Sequence, residues 1–268
     1  MNAAVSEFGF HEVPPERQDD CATHGEFTAR NLFGTMWTKC PACASERSRE
    51  AAAKRESEEK QAAIARWQAR IGSAGIPERF RRRTLETYRA ETDGQRAALA
   101  FAQDYADDFA NIAASGKSAL FIGKPGTGKT HLAVGIGLSA MGQGFAVMFT
   151  TAMRALRRVK ETWSKGSEET EREAIAALVY PHLLILDEVG IQFGSDTEKL
   201  ILFDVLNERY EKRKPTLLLS NLTLAEVRDY LGERIFDRLR EDGGQVLVFD
   251  WSSHRGIDRK TAAAGGDA

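Results

Sequence analysis

A short apolar run that passes directly into a glycine-rich turn constrains the fold of this chain most strongly. The run from Ala119 to Ile122 precedes the turn GKPGTGKT, and a helical pattern begins near Lys129. The pattern GxxxxGK followed by Ser or Thr requires this strand-to-helix context, and its fixed positions are filled by Gly123, Gly128, Lys129 and Thr130. The sequence therefore predicts a phosphate-binding P-loop, and the alternative is a chance match in a glycine-rich turn.

The residues of this turn suit a nucleotide triphosphate. Glycines let successive N–H groups turn inward around a phosphate, and the helix start adds unpaired donors and a positive dipole end. We expect Lys129 to reach the β- and γ-phosphates and Thr130 to offer its hydroxyl to Mg²⁺. ATP and Mg²⁺ are thus predicted ligands, and the predicted cofactor-binding residues of this segment are Gly123, Lys124, Pro125, Gly126, Thr127, Gly128, Lys129, Thr130 and His131.

Apolar runs alternate with helical stretches from Ala119 onward, which indicates an α/β core. The candidate strands are Ala119 to Ile122, Ala146 to Phe149, Leu183 to Leu186, Thr216 to Leu219 and Val246 to Phe249. Several runs are continuous rather than alternating, as in strands buried on both faces of a parallel sheet, and the intervening lengths suit crossover helices. We expect a five-stranded parallel sheet flanked by helices, with one amphipathic helix from Gly94 to Ser115 before it.

One of these strands ends in two acidic residues. Leu183 to Leu186 is followed by Asp187 and Glu188, at the edge where parallel α/β sheets place their ligands. We expect Asp187 to hold Mg²⁺ and Glu188 to polarise an attacking water. In the sequence, one candidate strand, Ala146 to Phe149, lies between the P-loop strand and the strand that ends in this acidic pair. That order is typical of P-loop proteins with an additional catalytic glutamate, so the sequence predicts an ATPase. A helix-capping acid pair after a core strand is the alternative.

Two later segments add polar groups to the same predicted site. Asn221 follows the strand from Thr216 and could orient the water and sense the nucleotide; a turn-forming role is the alternative. The block LGERIFDRLR carries Arg234 and Arg238 four residues apart on one helix face. An arginine there could project into a neighbouring subunit's site and stabilise transition-state charge. A surface helix with salt bridges explains the same pattern equally well.

The three cysteines fall near the N-terminus in a metal-ligand pattern. Cys21 and His24 have two residues between them. After a gap of fifteen residues, Cys40 and Cys43 follow with the same spacing. Such pairs match a zinc-ribbon knuckle, in which four protein ligands leave no open position, so we expect structural Zn²⁺. A segment this short could hardly hold a fold by burial alone. The alternative is two unrelated pairs.

Length and charge set the expected organisation and location. At 268 residues the chain has room for one medium domain with a small appendage. We expect a zinc module with a flexible N-terminus at 1–46, a charged helical linker at 47–75, an ATPase domain at 76–257 and a disordered tail at 258–268. The net charge of −2 argues against a wholly basic nucleic-acid coat. Without an apolar stretch near 20 residues or a signal-peptide pattern, the expected location is cytoplasmic, with no membrane contact.

These motifs together resemble the AAA+ ATPases of the DnaC type, the loaders of replicative DNA helicases. The resemblance runs from about Ile76 to Arg255 and rests on GKPGTGKTHLA, LLILDEVGIQ, the strand end SN, LGERIFDRLR and FDWSSHR. It implies an AAA+ core, preceded by the zinc-ribbon-like module. Because the chain stops soon after Arg255, we expect no C-terminal lid domain. The implied catalytic residues are Lys129, Glu188, the sensor Asn221 and the arginine finger Arg238, and the implied nucleotide contacts include Asp187 and Arg234.

The resemblance also implies partners. In such proteins the N-terminal module grips the hexameric replicative helicase, and the ATPase domains associate with one another. A helical insertion lines single-stranded DNA; here it would span Thr151 to Ala177, where cations can follow phosphates without reading bases. The candidate DNA contacts are Arg154, Arg157, Arg158 and Lys160.

The leading hypothesis is therefore a loader that places a replicative helicase on single-stranded DNA and hydrolyses ATP at AAA+ subunit interfaces. A transposition helper ATPase of the IstB type, which binds duplex DNA and a transposase, is the first alternative. The second is an adaptor whose ATP site acts as a switch without hydrolysis.

Overall fold

A computed structural model describes residues 15–33, 36–190 and 195–253 of the chain. The chain divides into two compact units, Met1–Trp67 and Gln68–Ala268. The predicted flexible N-terminus before residue 15 and the predicted tail at 258–268 lie outside the described residues. Among the residues described, no helix combines the length and the apolar character needed to cross a membrane.

The first unit contains a small antiparallel sheet and most of a long helix. Its strands β1 (Glu16–Cys21), β2 (Gly25–Phe33) and β3 (Met36–Trp37) lie in the order β1-β2-β3. A turn at 22–24 joins the first two strands, and helix α1 (Pro41–Ser73) follows. The unit boundary falls inside α1, so the predicted domain limits at 46 and 75 stay predictions.

The second unit is built on a five-stranded parallel sheet, which confirms the predicted fold class. The strands are β4 (Ala119–Gly123), β5 (Val147–Thr151), β6 (Leu183–Val189), β7 (Thr216–Ser220) and β8 (Gln245–Phe249), in the spatial order β5-β6-β7-β4-β8. Compared with the predicted bounds, β4 and β7 end one residue later, and β6 ends three residues later. Strand β5 begins one residue later and ends two residues later, and β8 begins one residue earlier. The glycine-rich turn thus leaves the sheet from a strand with neighbours on both sides, β7 and β8.

Helices cover both faces of this sheet. They are α2 (Asp93–Asp107), α3 (Phe109–Ser115), α4 (Lys129–Gly142), α5 (Ala152–Glu161), α6 (Glu171–Val179), α7 (Asp196–Glu211), α8 (Leu224–Leu231) and α9 (Glu233–Arg240). Leu120 and its same-face neighbours pack against α5, α6, α7 and α9. Phe121, on the opposite face, meets Phe101 of α2. The sheet therefore lies between two helical layers, because each strand exposes apolar side chains on both sides.

The prediction of one helix from Gly94 to Ser115 was wrong, because the helix breaks at Asp108. This residue leaves helical geometry with ψ 21, and its carboxylate accepts a 2.6 Å hydrogen bond from the Asn111 side chain. The break lets Phe109 turn inward, where it is fully buried and meets Phe145 at 4.9 Å between ring centroids. Burial of an aromatic ring outweighs the lost helical hydrogen bonds.

Arg209 of α7 is the largest fully buried side chain among the described residues, and sequence reasoning did not identify it. Its guanidinium donates hydrogen bonds of 2.6 to 3.4 Å to the carbonyls of Leu178, Val179, Pro181, His182 and Pro215 and to the Thr216 hydroxyl. Burial lowers the pKa of Arg209 to about 9, which still leaves the group charged at neutral pH. One side chain thus joins the end of α6 to the start of β7.

Candidate nucleotide site and metal cluster

The glycine-rich loop runs from β4 into α4 as predicted. Gly123 has φ 127, and a Cβ at this position would lie 2.2 Å from the Phe249 carbonyl oxygen, so only glycine fits. The N–H of Lys124 donates to that same carbonyl at 3.1 Å. Helix α4 begins at Lys129 with Gly128 as its N-cap, at φ 98. The end of β8 therefore supports the first residues of the loop.

The Lys129 side chain folds back over the loop. Its Nζ donates to the carbonyls of Gly123 and Lys124 at 2.7 and 2.8 Å, and the residue is only 6% exposed. Phosphate oxygens can replace the two carbonyl oxygens as acceptors of the hydrogen bonds that this buried ammonium donates. The arrangement therefore fits a nucleotide phosphate at this loop.

The acidic pair lies next to the start of α4. The Thr130 hydroxyl donates to Asp187 Oδ2 at 2.9 Å, so the two predicted Mg²⁺ ligands are already adjacent. Burial raises the pKa of Asp187, while the hydrogen bond from Thr130 opposes that rise. The hydroxyl and carboxylate oxygens of this pair are hard ligands of the kind that fit Mg²⁺.

Glu188 is set apart from its neighbour by an irregularity in the sheet. The β6–β7 register shifts between Leu186 and Val189, and Glu188 adopts φ 59, in the left-handed region. Its N–H donates to Asp187 Oδ1 at 2.8 Å, and its side chain is exposed. A bulge of this kind re-aims a side chain at the end of a strand. Asp187 thus faces Thr130 while Glu188 projects toward solvent, where a water can be reached.

Asn221 lies at the same edge of the sheet. It follows β7, which separates the β6 of the acidic pair from the β4 of the loop. The preceding Ser220 is buried and its hydroxyl donates to the Val189 carbonyl at 2.6 Å, which ties the end of β7 to the bulge. The strand order therefore places the end of β7, which Asn221 follows, between the acidic pair and the loop.

Arg238 lies near the opposite end of the strands, the end at which β4 begins. It shares a small cavity with Gly116 and Ser118, just before β4, and with Tyr210, whose ring centroid is 4.7 Å from the guanidinium carbon. Its Nη1 is buried and has no hydrogen-bond partner in the described part of the chain. Because β4 runs from this end toward the loop, roughly 15 Å of strand separates Arg238 from its own loop.

Two other predicted nucleotide contacts have different surroundings. His131 lies against the segment before α2, with Nε2 at 2.9 Å from the Thr84 carbonyl and 3.2 Å from the Thr87 hydroxyl. Arg234 is exposed, and its guanidinium lies 5.9 Å from the Phe203 ring centroid on α7. Contacts of either residue with a nucleotide stay predictions.

The predicted zinc ligands converge within the first unit. Cys21 ends β1, His24 lies in the following turn, and Cys40 and Cys43 flank the start of α1. Their ligand atoms all lie within 4.8 Å of one another, and His24 Nδ1 is 3.3 Å from Cys43 Sγ. A tetrahedral zinc site places neighbouring ligand atoms about 3.6 to 3.8 Å apart, so the cluster fits Zn²⁺.

A further residue orients the histidine of this cluster. His24 Nε2 lies 3.0 Å from Glu46 Oε1, which leaves Nδ1 facing the sulfur atoms. The Thr23 N–H, with the His24 ring, lowers the pKa of Cys21 to about 6, which favours the thiolate form that a metal ion requires. Sequence reasoning did not identify Glu46, although it lies three residues after Cys43, on the same helix.

The protein purified without chelator is expected to contain about one zinc ion per chain, measured by elemental analysis. Cys40→Ser is expected to remove most of that zinc, because Cys40 is a buried member of the cluster. Ser48→Ala, at an exposed position on the same helix, should keep it. Wild-type protein without zinc would contradict the metal site.

The candidate DNA contacts fall into two groups. Arg154 and Arg157 are exposed on α5. Arg158 Nε lies 3.1 and 3.2 Å from the two carboxylate oxygens of Glu169, and Lys160 Nζ lies 2.8 Å from Glu198. The predicted insertion, Thr151 to Ala177, contains helix α5 and most of helix α6. A cation already paired with a carboxylate is less available to a phosphate, so the structure favours Arg154 and Arg157.

The sequence and the fold both match known proteins. The model of the family described as IstB-like ATP binding protein matches residues 81–255, which include the loop, Asp187, Glu188, Asn221 and Arg238. The replicative helicase loader DnaC of Buchnera aphidicola subsp. Schizaphis graminum is 37% identical over 186 residues, 69% of this chain and 74% of that protein. DnaC of Escherichia coli strain K12 is 34% identical over 191 residues, which cover 71% of this chain and 76% of that protein.

Two solved structures share the architecture. The crystal structure of the DnaC helicase loader matches with a TM-score of 0.58 and 25% identity, covering 65% of this chain and 100% of that chain. The crystal structure of DnaI matches with a TM-score of 0.55 and 20% identity, covering 65% of this chain and 94% of that chain. This second likeness concerns the fold alone.

Proposed function

Because the chain belongs to the IstB-like ATP-binding family of AAA+ proteins and is of the DnaC type, we propose that it is an ATP-dependent loader of a replicative DNA helicase. The observation that carries the proposal is the extent of the likeness to DnaC loaders, 34 to 37% identity over about three quarters of their length. The family model matches residues 81–255, which contain the loop, the acidic pair and Arg238. The groups proposed for ATP use therefore lie within the segment that shows the family likeness.

The proposed hydrolysis uses groups that the fold brings to one edge of the sheet. Lys129 would exchange its two loop carbonyls for phosphate oxygens, and Thr130 and Asp187 would hold Mg²⁺. When bound, Mg²⁺ would neutralise negative charge on the phosphates. Glu188 would accept the proton of the attacking water, since its carboxylate is close to the metal ligands without being one of them. Asn221 would orient that water from the neighbouring strand.

Hydrolysis would require a second copy of the chain. Arg238 lies at the sheet edge remote from its own loop, so its proposed role as an arginine finger needs a neighbour's nucleotide. We propose assembly through the ATPase domains, with Arg154 and Arg157 of α5 following the phosphates of single-stranded DNA. The first unit, with its metal cluster, would bind the helicase.

The protein is expected to form a complex with the replicative helicase of its organism, detected by size-exclusion chromatography with ATP and with ADP. Cys40→Ser should abolish the complex, because loss of the metal unfolds the binding unit, whereas Ser48→Ala should retain it. If no complex forms with either nucleotide and the protein instead coats duplex DNA, the transposition helper is the better assignment. The family description as IstB-like favours that second candidate over other functions.

A further inference from the structure

The carbonyl of Thr127, in the middle of the phosphate-binding loop, is held by two aromatic side chains. Trp251 Nε1 donates to it at 2.9 Å, and the Tyr88 hydroxyl donates at 3.4 Å. Thr127 is fully buried. Burial raises the pKa of Tyr88 to about 12, so its hydroxyl remains a donor at neutral pH. Neither aromatic residue was identified as part of the site from the sequence.

Holding this carbonyl fixes the direction of the next N–H. The peptide unit between Thr127 and Gly128 is planar and trans, so its C=O and N–H point in opposite directions. Two donors on the carbonyl side therefore turn the Gly128 N–H away from Trp251 and Tyr88. Gly128 is the N-cap of α4, where unpaired N–H groups bind phosphate. In loops of this type these groups surround the α- and β-phosphates.

Both aromatic side chains are themselves fixed by packing. The Trp251 ring lies 4.9 Å from the ring of Phe249, which is fully buried at the end of β8. A Cβ added to Gly94, in the first turn of α2, would lie 3.2 Å from the Trp251 ring. The Tyr88 ring packs on Gly128, where an added Cβ would lie 2.7 Å from it. Rigid partners make these hydrogen bonds a stable constraint on the loop rather than a transient contact.

We propose that Trp251, assisted by Tyr88, is a positioning residue that presets the phosphate-binding loop for the β-phosphate of a nucleoside di- or triphosphate. The inference rests on the proposed binding of ATP at this loop. It gives a role to the segment FDWSSHR, up to Ser253, that the proposed hydrolysis does not use. The residue two positions after the end of β8 thereby acts on the nucleotide through the loop.

Trp251→Phe keeps an aromatic ring and removes the indole N–H. Affinity for MgATP and MgADP, measured by isothermal titration calorimetry on the full chain, is expected to fall by roughly three- to tenfold for both nucleotides. Both carry the β-phosphate, so the two losses should be equal within error. In the ATPase assay, KM should rise while kcat at saturating ATP stays within about twofold of wild type, as for loss of uniform binding.

Trp163→Phe is the matched control. Its indole N–H also donates a hydrogen bond, here to the Glu171 side chain (Oε2, 2.7 Å) at an exposed position after α5. This variant should bind nucleotide like the wild type. Tyr88→Phe removes only the weaker of the two donors and should reduce affinity by about twofold, which keeps the proposal testable if Trp251→Phe folds poorly.

Three results would overturn the proposal: wild-type affinity in both Trp251→Phe and Tyr88→Phe, an equal loss in Trp163→Phe, or a fall in kcat without a change in affinity. Failure of the proposed function gives a different result. Wild-type protein would then bind no ATP, or Lys129→Ala would bind it as well as the wild type does.

Discussion

Replacing Arg238 with alanine is expected to lower ATP hydrolysis by about a thousandfold or more while leaving ATP affinity nearly unchanged. The guanidinium lies beside Tyr210 and Gly116, at the sheet edge remote from its own loop. We therefore expect it to stabilise transition-state charge on a nucleotide bound to another copy of the chain. The steady-state ATPase rate and the affinity measured by calorimetry separate these two effects.

A mixing experiment tests whether Arg238 acts between subunits. Glu188→Gln is expected to be inactive by itself because it lacks the carboxylate that accepts the water's proton. In a mixture, the intact site of Arg238→Ala can meet the intact arginine of Glu188→Gln, and hydrolysis should return. Arg240→Ala, an exposed arginine on the same helix, should behave like the wild type. Loss of affinity together with turnover, or no recovery on mixing, would show that Arg238 is structural.

Arg209→Met is expected to lower the free energy of unfolding by about 3 to 5 kcal/mol. Methionine retains part of the side-chain volume but donates no hydrogen bond. The carbonyls at the end of α6 and before β7 would then be buried without their partner. Arg209→Met also removes the free-energy cost of burying one charge. The loss is larger than this gain, because several buried carbonyl groups are left without a hydrogen-bond donor.

Urea unfolding followed by circular dichroism measures this loss as a lower transition midpoint. Arg172→Met, at an exposed position on α6, is the matched control and should change stability by less than about 0.5 kcal/mol. A loss below about 1 kcal/mol for Arg209→Met would mean that other donors, such as water, satisfy the carbonyls.

Several features of the nucleotide site could be predicted because they are local in the chain. The apolar run, the glycines and Lys129 lie within twelve residues, and their order alone indicates strand, turn and helix. The resemblance to DnaC-type ATPases is confirmed by relatives that are 34 to 37% identical. Convergence of the four predicted zinc ligands follows from the same kind of short-range pattern.

Other features could not be read from a local pattern. Helix periodicity continues through Asp108, yet the break there depends on the burial of Phe109 against Phe145, which is distant in the chain. Charge alone gave no reason to separate Arg154 from Arg158, and only the position of Glu169 distinguishes them. A charged residue is ordinarily expected at the surface, so composition gave no signal for the buried Arg209.

The sequence by itself determined the α/β class, the phosphate-binding loop, the acidic pair and the metal-ligand spacing. Each depends on backbone geometry or ligand chemistry set by neighbouring residues. The tertiary structure decided where distant side chains lie, since Trp251 reaches Thr127 across 124 residues and Arg238 lies at the end of the strands remote from the loop. These contacts depend on strand order and packing, which bring distant segments together and have no local signature in the chain.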